Sequence, residues 1–292
     1  MVSALSNTSL RVGDRIIDLS TPRVMGILNA TPDSFSDGGR LHEGKGAGSF
    51  RVSVAKALEV AEAMVDAGAV IIDVGGESTR PGAPEVSEQV ELDRVLPVIE
   101  AIASRLDVAL SVDTSSPKVM TMAIAAGAGL INDVRSLSRS GAVQAAAHTS
   151  AAVCLMHMRG EPGSMQDNVT YASVVDEVYA YLEQRVAICL QAGIGLDRLL
   201  IDPGFGFGKT LQHNYELLRH LARFKTLGLP LLVGISRKSM IGNVVNRDVS
   251  ERLPGTLAAT VHALIGGAAI IRTHDVAATV DAIKVHSAVV QK

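Results

Sequence analysis

The 292-residue chain has only two cysteines, Cys154 and Cys189, and both lie in apolar sequence. That excludes a disulfide scaffold and suits free, buried thiols in a reducing compartment. No segment approaches the ~20 apolar residues that cross a bilayer, and the first residues carry no apolar core behind a basic start. No membrane association is expected, and the location expected is cytoplasmic. An excess of positive charge is also missing: 27 Lys and Arg face 30 Asp and Glu, a net charge of −3. No general basic field exists to grip a phosphate backbone, so nucleic acid is not expected as a partner. HExxH and CxxC spacings are absent, which argues against a dedicated zinc site, while a Mg²⁺ held by one protein oxygen and substrate phosphates stays compatible. Apolar residues, by contrast, make up 47% of the chain, enough for a core of ordinary size.

One unit recurs along the sequence: an amphipathic run ends in Gly, a β-branched run follows, and a polar residue closes it. AGAVIIDVGG, AGAGLINDV, AGIGLDRLLIDPG, LGLPLLVGISRK and GGAAIIRTHD are copies, each with Gly where a helix C-cap takes positive φ. With VMGILNA, DVALSVDT and AAVCLMHM they place strands at Val24, Val70, Val108, Leu130, Val153, Leu199, Leu231 and Ile270. Helical faces run through Val54 to Val65, Leu92 to Ile102, Val175 to Cys189 and Leu253 to Leu264, and Ser116-Pro117 has the chemistry of a helix start. Apolar strands alternating with helices call for a covered parallel sheet, and eight strands can close a (β/α)8 TIM barrel; a doubly wound open sheet is the alternative. The expectation is one barrel domain over residues 1–292, with residues 1–21 forming a short N-terminal hairpin as a cap.

In a barrel the strand C-termini form the active face. Asn29, Asp73, Asp113, Asn132, Asp133, His157, Asp202, Ser236, Arg237, Lys238, Arg272 and His274 fall there. A single Asp or Asn after a strand often just caps the next helix, but most strands ending this way together point to a site. The loop from Asn29 through Phe35 and Asp37 to Ser49 is longer than an ordinary βα connection and reads as a lid. Gly75 to Gly82, with Thr79, Arg80 and Pro81, offers N–H groups, a hydroxyl and a guanidinium to an anion. Ser236-Arg237-Lys238-Ser239 puts two cations at a strand end, and Arg272 and His274, two apart, point to one side. Asp202-Pro203-Gly204-Phe205-Gly206-Phe207-Gly208-Lys209 is glycine-rich like a phosphate loop, yet fails the Walker spacing. His157 reads as structural rather than as a base.

The segments GILNATPDSFSDGG, IIDVGGESTRPGA, SVDTSSPKV, INDVRS, LMHMRG with PGSMQ, LLIDPGFGFGKT, LLVGISRKSMIG and IIRTHDV occur in order from about residue 24 to 276. Together they resemble the bacterial dihydropteroate synthase family. The resemblance implies a (β/α)8 barrel that joins 4-aminobenzoate to 6-hydroxymethyl-7,8-dihydropterin pyrophosphate in an SN1-like displacement, with Mg²⁺ as cofactor. It implies pterin binding by Asp113, Asn132, Met156, Asp202, Gly234 and Lys238. Pyrophosphate falls to Asn29, Thr79, Arg80, Arg272 and His274, with Asn29 also on the metal. The aminobenzoate pocket is Phe35, Thr79, Pro81, Phe207 and Ser239, and Asp113, Lys238 and Asp37 carry the chemistry. Sulfonamides, as mimics of 4-aminobenzoate, are expected inhibitors, and a homodimer through late helices such as 250–266 is implied.

Two other readings share part of this pattern. A methyltransferase using methyltetrahydrofolate would keep the Asp113, Asn132 and Asp202 pocket but would not need the Thr-Arg-Pro and Arg-x-His anion sites. A non-catalytic pterin-binding paralogue would be expected to lack part of the Lys238, Arg272 and His274 set, which is complete here.

Overall fold

A computed structural model describes residues 8–31, 52–78, 86–161, 163, 165–166 and 169–290. A hairpin of β1 (Ser9–Val12) and β2 (Arg15–Asp18) precedes eight further strands: β3 (Arg23–Asn29), β4 (Ile71–Gly75), β5 (Ala109–Asp113), β6 (Leu130–Asp133), β7 (Ala152–Met156), β8 (Leu199–Asp202), β9 (Leu232–Val233) and β10 (Ile270–Thr273). These eight pair in parallel in the order β8-β7-β6-β5-β4-β3-β10-β9. A parallel bridge between Ile201 and Leu231 joins the two end strands, so the sheet closes on itself. The open-sheet alternative is thereby excluded. Each expected strand is present, although β9 is only two residues long.

Nine helices are described: α1 (Val54–Asp66), α2 (Glu88–Ala103), α3 (Pro117–Ala125), α4 (Ala142–Ala147), α5 (Val174–Gln191), α6 (Leu211–Arg219), α7 (Ser239–Val245), α8 (Leu253–Ile265) and α9 (Val276–Val290). Their starts follow from capping chemistry. Ser53, Ser87, Ser116 and Ser173 each accept a hydrogen bond from the backbone N–H three residues on, satisfying a donor that the first turn leaves over. Pro117 sits in the first turn of α3, as expected. Gly68, Gly127, Gly193, Gly228 and Gly267, which end the repeating units, all lie at positive φ.

Strand alternation divides the core into two. Outward residues such as Ile72, Val74, Val112, Ile131, Val153 and Ile201 pack against the helices. Inward residues Met25, Ile71, Ala109, Leu130, Ala152, Cys154, Leu200, Leu232 and Ile270 fill the barrel, and Leu10, Val12, Ile17 and Leu19 of the hairpin plug its N-terminal end. The plug demands close approach, since a Cβ on Gly129 would lie 2.3 Å from the Gly13 nitrogen. Cys154 and Cys189 are free and buried, as the sequence suggested.

One buried acid bears on stability. Glu91 of α2 is packed beneath Gly76, where a glycine Cβ would come within 3.1 Å of the Glu91 Cγ. Glu91 Oε1 has no partner among the described residues. Burial raises its pKa to about 7 against a bond from Thr114, with Glu77 adding to the rise. Because the folded state holds this proton more tightly than the unfolded chain, the stability Glu91 contributes is intact below pH 4.5 and lost as pH climbs through 7. Urea unfolding of wild type and Glu91→Gln should therefore diverge, with wild type losing ~3 kcal/mol relative to the variant from acid to neutral pH. Parallel pH curves for the two proteins would contradict this.

Candidate active site

The same alternation that fills the barrel with hydrocarbon turns polar toward the strand C-termini. Ile71 gives way to Asp73, Leu130 to Asn132, Leu200 to Asp202, and Ile270 to Arg272. Above this layer opens a cavity of about 570 Å³, lined in part by Asn29, Glu77, Asp113, Phe207, Lys238, Ser239, Arg272 and His274.

Arg272 organises the layer. Its Nε donates to Asp73 Oδ2 at 2.6 Å and its terminal nitrogen to Asp113 Oδ2 at 2.8 Å. Asp73 Oδ2 also accepts from the Asn132 amide at 3.0 Å, while Asp73 Oδ1 has no partner among the described residues. Burial raises the Asp113 pKa to about 7, against the pull of Arg272 and with the help of Asp73 and Asp133. For Arg272 burial works against the charge, yet Asp73 and Asp113 outweigh it and hold the pKa above the ordinary guanidinium value. Asp202 is likewise raised by burial, opposed by Lys238 and by the Gly204 N–H that it accepts at 2.7 Å. Burial lowers Lys238 to about 8, with Asp202 opposing.

Lys238 donates to the Phe205 carbonyl and its Nζ lies 4.5 Å from the centre of the Phe207 ring. The loop carrying both phenylalanines is drawn in tightly. Gly204 has φ +72°, and a Cβ there would come 1.9 Å from the His157 carbonyl, so only glycine fits. Lys209 is buried beneath the loop and donates to Gly204 O at 2.8 Å and Phe207 O at 3.0 Å, and its Nζ lies 2.9 Å from His157 Nδ1. This lysine braces the loop and is not presented to a phosphate, in keeping with the failed Walker spacing. His157 is the structural residue expected: burial, then Lys209 and Arg159, lower its pKa to about 2.

Two members of the strand-end set do other work. Asp133 points away from the cavity, accepting from Ser115 Oγ and from the Arg135 and Leu137 N–H groups, because its neighbour Asn132 takes the inward position. Arg237 is paired with Asp275 through bonds of 2.6 and 2.9 Å, so although both cations of the Ser-Arg-Lys run line the cavity, the charge of Arg237 is already matched by a carboxylate. Ser236 Oγ lies 3.0 Å from His274 Nδ1 and fixes that ring at the rim. Asn132, Met156 and Asp202 are 4–5% exposed, at the strand ends and not among the residues that line the cavity. Gly234 lies beside the Arg272 stem, where a Cβ would sit in ordinary contact at 3.8 Å from the Arg272 Cβ. Phe35, Asp37, Thr79, Arg80 and Pro81 lie outside the described residues.

The model of the pterin binding enzymes matches residues 25–274. The dihydropteroate synthase of Escherichia coli strain K12 is 56% identical over 269 residues, 92% of each chain. The chain belongs to the dihydropteroate synthase family. The Yersinia pestis dihydropteroate synthase, solved as a sulfonamide drug complex, superposes with a TM-score of 0.91 at 51% identity, covering 96% of this chain and 98% of that one. The Xanthomonas albilineans dihydropteroate synthase with 4-aminobenzoic acid gives 0.88 at 47% identity, covering 97% and 98%. The methyltransferase reading therefore falls, and a transferase of the synthase family stands.

Sequence reasoning passed over Glu77, Met165 and Gln166, which also line the cavity of this synthase fold. Their signal was present in GGESTRPG and PGSMQ, although no single residue type marked them. Asp73 entered only as one of many strand-end acids, since nothing in sequence says that it faces Arg272. Removing that cation leaves two buried carboxylates unpaired, so Arg272→Met should cost ~3–5 kcal/mol in urea unfolding. Much less than that should follow in an Asp73→Asn background, and full additivity of the two changes would contradict the pairing.

Proposed function

We propose that this transferase joins 6-hydroxymethyl-7,8-dihydropterin pyrophosphate to 4-aminobenzoate, forming 7,8-dihydropteroate and pyrophosphate. The observation that carries the reading is the desolvated layer of Asp73, Arg272, Asp113, Asn132 and Asp202 beneath a cavity rimmed by Lys238 and His274. A 2-amino-4-oxopterin presents a donor edge that Asp202 can accept, and Asn132, its amide N–H₂ already given to Asp73, keeps an oxygen free to accept. Met156 and Lys238 would lie against the two faces of the ring, with Gly234 leaving room. Asn29, Arg272 and His274, with Thr79 and Arg80, take the pyrophosphate. Phe207 and Ser239, with Phe35, Thr79 and Pro81, take the aminobenzoate, and Asp37 joins Asp113 and Lys238 in the chemistry, as the family resemblance implies.

In the reaction the methylene C–O bond breaks and its electron pair leaves with the pyrophosphate. The pterin methylene cation that remains is favoured by the ionised Asp113 in a water-poor site, while Lys238 orients the ring. The arylamine lone pair then forms the C–N bond, and the ammonium proton this creates passes to solvent at the cavity mouth. Asn29, at the end of β3, offers a hard neutral oxygen into the cavity, and its Oδ1 would lie 3.7 Å from a Cβ on Gly75. No group of three His, Cys, Asp or Glu able to hold a metal occurs among the described residues. One protein oxygen with substrate phosphates suits Mg²⁺, which needs no all-protein cage and would neutralise the departing charge.

Sulfonamides, seen bound in the Yersinia pestis relative, should compete with 4-aminobenzoate. A homodimer is supported by apolar residues left outside on adjacent helices, Ile265 at 68% and Val285 at 66% exposure. No described helix is long and apolar enough to cross a membrane, and buried free thiols fit a reducing cytoplasm.

The test is pyrophosphate release with the dihydropterin pyrophosphate, with and without 4-aminobenzoate and Mg²⁺, alongside an assay of dihydropteroate. Coupled release and product formation should require Mg²⁺ and fall at least ~100-fold in Asp113→Ala and Lys238→Ala. A folded wild type that binds the pterin but makes no dihydropteroate would overturn the reading in favour of the binding-only paralogue.

A further inference from the structure

Between β6 and α4 the backbone does something costly. Ser136 and Leu137 stand at φ +52° and +57°, two successive non-glycine residues in the left-handed region. Such strain persists where the surroundings over-determine it. Here they do. Asp133 accepts from the Leu137 N–H at 2.7 Å and the Arg135 N–H at 2.9 Å. Ser136 Oγ donates to Met156 O at 2.7 Å, and Arg185 Nε donates to Ser136 O at 2.8 Å.

The turn sends the Arg135 side chain back over the barrel rim. Its guanidinium is 6% exposed and bonds Ser115 Oγ at 3.0 Å, Glu161 Oε2 at 2.9 Å and Glu77 Oε2 at 3.4 Å. Glu77 follows β4 and lines the cavity beside Ser78. Glu161 follows β7, four residues before Met165, which with Gln166 also lines the cavity. Gln166 Nε2 in turn donates to Gly206 O at 2.8 Å, next to Phe207. Arg135 thus bonds Glu77 of the cavity wall and Glu161, four residues before Met165, without lining the cavity itself. The floor is held by other means: Asp113 and Asn132 are tied to Arg272 and Asp73, and Asp202 to the Gly204 N–H.

We propose that Arg135 is a positioning residue for the aminobenzoate side of the cavity, setting the separation of the Glu77-Ser78 and Met165-Gln166 walls. The claim rests on the reading that Phe207 and its neighbours receive the arylamine. It predicts that the two substrates respond differently when the tie is cut, because Arg135 bonds Glu77 of the mouth directly but reaches the pterin floor only through Ser115 Oγ, two residues beyond Asp113. A residue needed only for folding would affect both alike.

The test uses Arg135→Met and Glu161→Gln in the full chain. Glu161 is 70% exposed at its side chain, so its variant keeps the test open should Arg135→Met not fold. Expected is a rise in KM for 4-aminobenzoate and in the Kd of a sulfonamide, about tenfold for Arg135→Met and about threefold for Glu161→Gln. The Kd for the dihydropterin pyrophosphate should stay within about twofold. Amide exchange of residues 76–78 and 165–166 should quicken in the same variants while that of residues 111–113 does not. Equal changes for both substrates, or unaltered exchange at the two walls, overturn the proposal. A wild type that makes no dihydropteroate overturns the synthase reading instead, and the exchange measurement still decides whether Arg135 ties the walls.

Discussion

The site depends on one cation placed among carboxylates inside the barrel. Arg272 enters from β10 and reaches Asp73 on β4 and Asp113 on β5, so it links strands on both sides of β3. The layer below is hydrocarbon sealed by the hairpin, and no water-rich interior supports the charges from beneath. Mutual pairing offsets the cost of burying these groups, and pairing at such depth is strong because little solvent screens it. Asp113 is consequently both constrained and poised: burial pushes it toward the neutral acid and Arg272 pulls it back. A substrate that brings a developing cation to this carboxylate adds a second reason for it to ionise.

Above that rigid floor, the mouth is assembled from loops braced individually. Lys209 ties the Gly204 to Phe207 turn to the end of β7, Gln166 ties it to the next loop, and Arg135 spans the loops after β4 and β7. The floor must hold charge, whereas the mouth must hold shape.

Much of this was legible before the fold. The glycine that ends a helix and the β-branched run after it located five of the eight barrel strands, and apolar runs alone the other three, since a left-handed cap and a fully buried strand are both local chemistry. The order of motifs identified the family. Sidedness was not legible in the same way. Asn132 and Asp133 are adjacent and alike, yet one turns into the barrel to bond Asp73 and the other braces a turn, because a strand reverses direction at every residue. The partners of Arg272 are 159 and 199 residues distant, and no local pattern announces them. The helix α4 has six residues and α7 seven, too short to display an apolar stripe. In α9 the apolar residues run around the helix, with Val285 and Val289 left outside, so its inward face carries no clear signal. Arg135 sat in the INDVRS motif as an ordinary loop arginine until the strained turn showed where it goes.

The most direct test of the account is the ionisation of Asp113, followed by carbon NMR of its carboxyl group in the substrate-free protein and in Arg272→Met. The account requires a pKa well above the ordinary carboxylate range in wild type, and a further rise when the guanidinium is removed. An ordinary value in wild type, unchanged by loss of Arg272, would show that the polar layer is solvated rather than desolvated and would contradict its central role.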